Sequence, residues 1–361
     1  MEGTKVIKKE RNHYIDTLKG LAIISVIFIH TCFLDGGATY VPKWFVNLTL
    51  LFEVPIFFFL SGWSFSYTRD NKSYVKSLIL TQIRYMVFIS IIVLILNLIN
   101  YIQSGTYNIG LSRFIQFIFH AEITTEPLNG ICYDLWFFRI YFIVCIIGAI
   151  LLKLLNQKAS KILVILLGAM VFLCTFIFPE IGKLNLGMEY SYVFFYLFFF
   201  MLGNITKDTS LKLKETIVSI VSLIVSLICI KVFLPIDIFD LQSNKFPPNF
   251  VFLIWSLFGV VIVLYLKNFF WNCKDNIISK IGKYSIYIYL AQSVSKSILA
   301  IILPIVTSNI IIAWPIMMVI AFIVNLIMSG IFTVLLKVIT EPIIKICKNF
   351  LNNKVYAKEC N

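Results

Sequence analysis

The chain has 361 residues, of which 60% are hydrophobic and only 14% are charged. Soluble domains are typically about 45–50% apolar and about 25% charged, so this composition excludes an ordinary soluble enzyme, a disordered chain and a collagen-like fibre. A net charge of +13 would suggest a nucleic-acid partner in a soluble protein. In so apolar a chain it instead indicates orientation in a membrane, and we expect no nucleic-acid partner.

The eight cysteines are scattered along the chain and form no C-x-x-C pair. Several lie in apolar runs, where the pattern favours small buried side chains over a disulfide framework or a zinc site. We therefore expect no metal ion in this protein.

Ten segments are long and apolar enough to cross a bilayer, because a helical span needs about 20 mostly apolar residues. They do not alternate between polar and apolar residues, which excludes a closed barrel. The sequence therefore predicts an all-α, polytopic transmembrane helix bundle of about ten spanning helices. The approximate spans are 14–34, 44–67, 78–102, 135–155, 161–178, 190–206, 213–235, 249–270, 284–306 and 310–337.

The Lys and Arg residues predict how these spans are oriented. With the N-terminus in the cytoplasm, 22 of the 31 basic residues lie in cytoplasmic segments and 4 lie in the loops on the other side. Positive residues collect on the cytoplasmic side of membrane proteins, so we expect both termini to be cytoplasmic. The segments VPIFFFLSG (54–62) and YLFFFMLG (196–203) look alike, which we attribute to chance in Phe-rich spans.

The first span carries three ionisable residues, Asp16, Lys19 and His30. Lys19 and His30 are 11 residues apart, which places them on one helix face roughly 16 Å from each other, and Asp16 is on the same face. Ionisable groups inside a membrane are candidate functional groups, although interhelical ion pairs are the main alternative. Because an imidazole titrates near neutrality, His30 is a candidate general base.

The second span contains Glu53, then Pro55, and then Ser61 and Gly62. Pro55 leaves a backbone carbonyl unpaired and can bend the helix. Ser61 and Gly62 allow a ligand or another helix to approach closely, and helix packing alone also explains them. Glu53 is expected either to pair with a basic group or to hold His30.

The third span begins with basic residues, because Lys76 precedes it and Arg84 lies within it. Such a cluster beside a cavity suits phosphate, and snorkelling side chains are the alternative.

In the fourth span Arg139 lies about one turn deeper than Trp136 and needs a partner. In the ninth span, Gln292 shares a face with Tyr289 and Lys296, where interhelical hydrogen bonds are equally compatible with the pattern.

Segments of four predicted spans together resemble the acyltransferase-3 family of integral-membrane acyltransferases. RNHYIDTLKGLAI (11–23) followed by His30 is similar to the family's opening motif of a basic residue, ten residues and a His, matched here by Lys19 and His30. PIFFFLSGW (55–63) is similar to its second-helix signature. LWFF (135–138) and GKYSIYIYL (282–290) are similar to the starts of a middle helix and a late helix.

The resemblance implies a single integral-membrane acyltransferase domain over 1–345, followed by a basic cytoplasmic tail over 346–361. It implies transfer of an acyl group, usually acetyl, from cytosolic acyl-CoA to a sugar hydroxyl of a cell-envelope glycan or glycolipid. Acetyl-CoA would be a co-substrate, with no permanently bound cofactor. The expected location is a bacterial plasma membrane, and the oligomeric state stays open.

With that activity as the hypothesis, each candidate residue receives an expected role. His30 deprotonates the acceptor hydroxyl or carries the acyl group transiently, with Glu53 orienting it and Asp16 as a further catalytic-site residue. The residues expected to contact acyl-CoA are Lys19, Arg84, Lys76, Ser61 and Trp63. Those expected to contact the acceptor or the tetrahedral oxyanion are Trp136, Arg139, Tyr289 and Gln292.

Two other functions are compatible with the residues. Intramembrane charges and a Pro-bent helix also suit a secondary transporter or flippase of a lipid-linked saccharide, although we find no inverted repeat. A non-catalytic component of a polysaccharide-export complex is the second alternative, and it would not need His30.

Overall fold

The computed structural model of the chain describes residues 11–36, 40–67, 71–106, 110, 135–179, 190–309 and 313–359. The described part of the chain is built from α-helices. In chain order they are α1 His13–Cys32, α2 Lys43–Leu51, α3 Val54–Phe65, α4 Asn71–Ser104, α5 Trp136–Leu154, α6 Gln157–Phe176, α7 Tyr190–Ile205, α8 Leu213–Phe233, α9 Leu241–Lys245, α10 Phe250–Phe270, α11 Ile277–Lys283, α12 Ser285–Asn309 and α13 Ala313–Glu359.

Asparagine side chains define the beginnings of four helices. Asn12 accepts a hydrogen bond from the backbone N–H of Ile15 at the start of α1. The same capping bond occurs at the starts of α6, α10 and α11, from Asn156, Asn249 and Asn276. Asparagine is a favoured cap because its oxygen satisfies an N–H group that the first helical turn leaves unpaired.

The described residues contain nine helical segments long and apolar enough to cross a membrane, together with the shorter apolar helix α7. These ten elements lie where the ten spans were predicted, so the predicted polytopic helical bundle is confirmed. The most buried segments are α1 and the α2–α3 segment, whereas α8 is the most exposed of the nine. The bundle is therefore organised around α1 and α3.

The second predicted span, 44–67, is not one helix but two. The backbone leaves the helical conformation at Phe52 and Glu53, and α3 restarts with Pro55 in its first turn. A proline fits there because it needs no N–H partner at a helix start, but inside a helix it would break a hydrogen bond. The bend expected from Pro55 is therefore a full interruption, and it places the buried Glu53 between the two helices.

The last helix is longer than the sequence predicted. The apolar pattern indicated a span over 310–337, but α13 continues through Pro342 to Glu359. The predicted tail 346–361 therefore begins inside a helix. A proline can remain in a long helix when neighbouring groups satisfy the carbonyl that it frees.

Contacts between helix ends show which of them lie together at each end of the bundle. At the N-terminal end, His13 is near Asp275, Tyr67 donates to the Lys207 carbonyl, and so does Lys267. At the opposite end, Lys43 pairs with Asp237 and the Phe45 ring contacts Trp314. The grouping matches the alternation of spans predicted from the Lys and Arg residues.

Two pairs of glycines allow helices to cross at backbone distance. A Cβ atom on Gly62 of α3 would lie 1.8 Å from the Phe200 carbonyl oxygen of α7, and one on Gly203 would lie 1.9 Å from the Phe59 carbonyl oxygen. The segments that looked alike in the sequence, 54–62 and 196–203, are therefore packed against each other at matching glycines. Small residues are what close helix packing in membranes requires.

The second crossing joins α1 to α11. A Cβ atom on Gly282 would lie 1.8 Å from the Asp16 carbonyl oxygen, and one on Gly20 would lie 2.1 Å from the Ile278 carbonyl oxygen. Because α11 leads directly into α12, this crossing fixes the position of α12 beside α1. The helices α1 and α12 carry five of the twelve candidate site residues, namely Asp16, Lys19, His30, Tyr289 and Gln292.

Candidate active site

A cavity of about 160 Å³, here called the larger cavity, lies between α1, α3, α4, α5 and α12. Its apolar walls are Ile23, Phe57, Phe137, Phe138 and Ile286. Its polar lining is Lys19, Ser61, Thr81, Tyr141, Ser285 and Tyr289. Ligand sites are typically apolar clefts with a few polar groups that fix the ligand's orientation, and the larger cavity has this character.

The polar groups of the larger cavity are connected to one another and to its walls. Lys19 Nζ lies 3.4 Å from Ser64 Oγ, and the hydroxyls of Ser61 and Tyr141 are 3.3 Å apart. The Tyr289 ring centre is 5.3 Å from that of Phe137. The cavity therefore presents one ammonium group and several hydroxyls against an aromatic wall.

A second cavity of about 10 Å³, here called the smaller cavity, lies between α1, α12 and α13. Its apolar lining comes from Ile27, Leu34 and Leu299. Its polar lining is His30, Thr31, Gln292, Ser295, Lys296 and Asn325. This volume holds about one water-sized group beside the half-buried His30.

The two cavities follow one another along α1 and α12. Ile23 lines the larger cavity and His30 the smaller, about 10 Å further along the helix at 1.5 Å per residue. Tyr289 and Gln292 mark the same order on α12, so the two helices run in the same direction. Between the cavities, Gln292 Nε2 donates a 2.8 Å hydrogen bond to the Val26 carbonyl.

The helical period explains why the residues of both cavities lie along one face of α1 and one face of α12. Lys19, Ile23 and His30 recur at spacings of four and seven residues on α1, and Tyr289, Gln292 and Lys296 recur at three and four on α12. Such spacings keep side chains on one helix face. The glycine crossing of α1 with α11 then brings these two faces together.

The predicted site residues divide into those that line a cavity and those that do not. The larger cavity contains Lys19, Ser61 and Tyr289, and the smaller one contains His30 and Gln292. The other seven lie outside both linings. They are Asp16, Glu53, Trp63, Lys76, Arg84, Trp136 and Arg139.

Asp16 is buried and forms an ion pair with Arg11, whose Nη2 donates a 2.9 Å hydrogen bond to Asp16 Oδ1. The hydrogen bond to Asp16 raises the pKa of Arg11, so the guanidinium stays charged. The pair fastens the segment before α1 to its first turns. This geometry gives Asp16 a structural contact and does not place it beside His30.

Glu53 is 1% exposed and pairs with Lys245 at 2.5 Å, and Lys245 is itself 5% exposed. Of the two partners left open by the sequence, the structure provides the basic group. Lys245 belongs to α9, in a loop that was counted among those of the non-cytoplasmic side. The loop therefore turns inward and closes over the interruption between α2 and α3.

Trp63 is fully buried in an aromatic cluster at the N-terminal end. Its ring stacks on Trp271 with centres 5.9 Å apart, and Lys267 Nζ lies 5.1 Å from its centre. Lys267 also donates to the carbonyls of Lys207 and Thr209. The geometry makes Trp63 a packing residue that joins helix ends.

The two basic residues of α4 have different surroundings. Lys76 is exposed near the start of the helix, whereas Arg84 is half-buried with its guanidinium 5.5 Å from the Tyr287 ring centre. Arg84 lies one turn beyond Thr81, which lines the larger cavity. The Arg84 Nε atom is buried and has no hydrogen-bond partner among the described residues.

At the opposite end, the half-buried Trp136 packs among aromatic rings. Its ring centre is 5.4 Å from Phe246 and 6.1 Å from Tyr196. Phe58 stacks on Tyr196 at 4.5 Å and also contacts Phe137 in the wall of the larger cavity. Trp136 is thus separated from that cavity by one layer of rings, and Arg139 is half-buried on the same helix.

Asn325 and Tyr141 are polar cavity-lining residues that the sequence reasoning missed. Asn325 is 1% exposed and lines the smaller cavity with His30. It lies in the apolar run of α13, so it carried the same signal as Gln292, a polar side chain within a span. Tyr141 resembled an ordinary aromatic residue, and nothing in its sequence context distinguishes it.

Among the described residues, no group of three or more His, Cys, Asp and Glu side chains is placed to hold a metal ion. The polar groups of the two cavities are instead an ammonium, an imidazole, hydroxyls and amides, which suit an organic ligand.

The helices and cavities define a multi-pass membrane protein with a candidate site between the helices of its bundle. The sequence profile of the acyltransferase-3 family, described as an acyltransferase domain, matches residues 12–334. The chain therefore belongs to the acyltransferase-3 family and is a membrane acyltransferase. No curated protein and no solved structure gives a significant match to it.

Proposed function

We propose that this protein is an O-acyltransferase that moves an acetyl group from acetyl-CoA to a sugar hydroxyl of a cell-envelope glycan or glycolipid. The observation that carries the proposal is that the two cavities follow one another along α1 and α12, with Lys19 in the larger cavity and His30 in the smaller. Transfer of an acyl group between two substrates needs adjoining sites of this kind.

In this proposal the larger cavity receives the acyl end of acetyl-CoA. Lys19 supplies a positive charge, and Ser61 and Tyr141 offer hydrogen bonds to the amides of the pantetheine arm. Arg84 and the exposed Lys76 are candidates for the phosphates, because guanidinium and ammonium groups bind them well. The aromatic wall of Phe137 and Tyr289 packs against the apolar part of the arm.

His30 is the proposed catalytic residue. As a general base it takes the proton of the acceptor hydroxyl while the oxygen attacks the thioester carbon. The C–S bond then breaks, and the leaving CoA sulfur takes up that proton. As a nucleophile it would instead form an acyl-imidazole that the hydroxyl attacks in a second step. Gln292 and Tyr289 lie along this route and are the proposed contacts of the transferring carbonyl.

The proposed location is the plasma membrane of a bacterium, with both termini and the basic N-terminal end of the bundle in the cytoplasm. This orientation follows from the Lys and Arg distribution. It gives acetyl-CoA access from the N-terminal end and leaves the opposite end for the envelope acceptor.

Radiolabelled acetyl-CoA tests the activity directly. Membranes containing the protein are incubated with [¹⁴C-acetyl]-CoA, and label in the glycan and glycolipid fractions is compared with membranes that lack the protein. We expect base-labile label that depends on the protein. Saccharide flux across the membrane without any label would instead support a transporter and contradict this proposal.

A further inference from the structure

The smaller cavity has a size that restricts what can react at His30. Its volume of about 10 Å³ matches one water-sized group, and described residues of α1, α12 and α13 line it. A hydroxyl on a sugar ring is flanked by two ring carbons. A primary hydroxyl stands one CH₂ group away from the ring, so its oxygen enters a narrow cavity without bringing the ring with it.

Asn325 brings to the smaller cavity a hydrogen-bond acceptor that no described donor satisfies. Its side chain is 1% exposed, and its Oδ1 atom is buried with no hydrogen-bond partner among the described residues. A buried polar atom left unpaired destabilises a protein, so such an atom inside a cavity indicates that something else satisfies it. A hydroxyl group is a donor of the right size for this position.

The position of Asn325 relates it to His30. The two residues belong to α13 and α1 and line the same cavity, with Gln292 at the side that faces the larger cavity. A group small enough to enter is therefore held near the imidazole. The apolar wall on the other side includes Leu299, which is 3% exposed and limits the width.

We propose that the smaller cavity selects a primary hydroxyl of the acceptor, and that Asn325 binds it by accepting its hydrogen bond. The inference rests on the function proposed above and adds the class of hydroxyl and the residue that holds it. Because the hydroxyl has a single hydrogen, this hydrogen turns from Asn325 to the imidazole of His30 when the reaction begins, and His30 takes the proton while the oxygen attacks the acyl carbon. Asn325 is thus a substrate-binding residue of the acceptor side.

Matched pairs of acceptors test the proposal. The purified protein is given acetyl-CoA with the methyl glycosides of glucose, galactose and N-acetylglucosamine, each paired with its 6-deoxy analogue. We expect acetyl transfer to the 6-hydroxyl of at least one glycoside, located by NMR, and at most about one tenth of that rate to its 6-deoxy partner. Acetylation of ring hydroxyls, or transfer to none of the glycosides while His30-dependent CoA release continues, would overturn it.

Two variants link the selectivity to the cavity. Asn325→Leu keeps the side-chain volume and removes the acceptor, so KM for the glycoside should rise about tenfold with KM for acetyl-CoA unchanged. Leu299→Ala widens the cavity and should increase transfer to the 6-deoxy analogue. Ser329→Ala, one turn along α13 and outside the cavity, is the control that should behave like the wild type.

These outcomes separate the inference from the proposed function. If neither His30-dependent CoA release nor labelled glycan is found, the proposed function itself fails. If CoA release depends on His30 but Asn325→Leu leaves both KM values unchanged in a folded protein, the activity stands and the role of Asn325 is wrong. Thermal unfolding of each variant in detergent shows whether it is folded.

Discussion

Lys19 is the only charged residue among the described residues that line the larger cavity. Replacing it with Met should raise KM for acetyl-CoA about tenfold, because one charge-assisted contact is worth roughly 1.5–3 kcal/mol. Steady-state CoA release measures KM and kcat separately. Lys158→Met, at an exposed position in the first turn of α6, is the matched control. Equal KM values for the two variants would show that Lys19 does not contact the donor.

Breaking the Glu53–Lys245 ion pair should strongly destabilise the folded protein. Lys245→Met leaves an uncompensated buried carboxylate, which typically destabilises a protein by about 3–5 kcal/mol. Adding Glu53→Gln to it should restore most of the stability, because no buried charge then remains. The measurement is the thermal unfolding temperature in detergent.

The exposed pair Lys43–Asp237, at the same end of the bundle, is the control for that experiment. Its side chains are 64% and 60% exposed, so Lys43→Met should cost at most about 1 kcal/mol. If Lys43→Met and Lys245→Met lower the unfolding temperature equally, burial of the Glu53–Lys245 pair is contradicted.

At the residue scale, the sequence predicted cavity-lining residues where one helix carries several of them. Lys19 and His30 share a face of α1, and Gln292 and Tyr289 lie close together on α12, so the helical period was enough. The partner of Glu53 was not predictable, because Lys245 lies 192 positions away in a loop and only tertiary packing brings it inward. Asn325 was detectable by the same signal as Gln292.

At the element scale, the crossing of α3 and α7 should tolerate no side chain at its glycines. In Gly62→Ala or Gly203→Ala the new methyl group meets a carbonyl at less than 2 Å, so the helices must separate. Overpacking of this kind costs about 1–3 kcal/mol or more. Thermal unfolding in detergent should show a clear decrease for both variants.

For Gly330→Ala on α13 we expect no loss of stability, in contrast to Gly62→Ala. No heavy atom lies within 4 Å of its added Cβ, and alanine is favoured over glycine in a helix by about 1 kcal/mol. This variant should be as stable as the wild type or more so. A decrease as large as that of Gly62→Ala would mean that backbone proximity is not what makes Gly62 necessary.

Helices were easier to predict than their interruptions. Long apolar runs predicted the ten elements. Backbone N–H and C=O groups without hydrogen-bond partners are so unfavourable in lipid that only helices and closed barrels span a membrane. The interruption at Phe52 and Glu53 depends on the ion pair with Lys245 and on Pro55 together, and only Pro55 was visible locally. The likeness of 54–62 and 196–203 gained its meaning only when the two segments were found in contact.

At the scale of the whole molecule, the orientation predicted from Lys and Arg is testable with reporters. Alkaline phosphatase is active only outside the cytoplasm, so its fusion after Gly110 should be active and its fusion after Asn156 inactive. Green fluorescent protein at the same two positions should give the opposite pattern. Activity of alkaline phosphatase at Asn156 would contradict the predicted sidedness, while the grouping of helix ends would still stand.

The most direct test of the whole account compares wild-type protein with His30→Ala and His30→Gln. Both variants are purified, checked for an unchanged unfolding temperature, and assayed for transfer from [¹⁴C-acetyl]-CoA to the glycan fraction of host membranes. We predict that transfer falls at least about a hundredfold in both, since positioned acid–base groups typically contribute 10²–10⁴-fold. Transfer by the variants at the wild-type rate would contradict the central claim that acyl transfer takes place at His30.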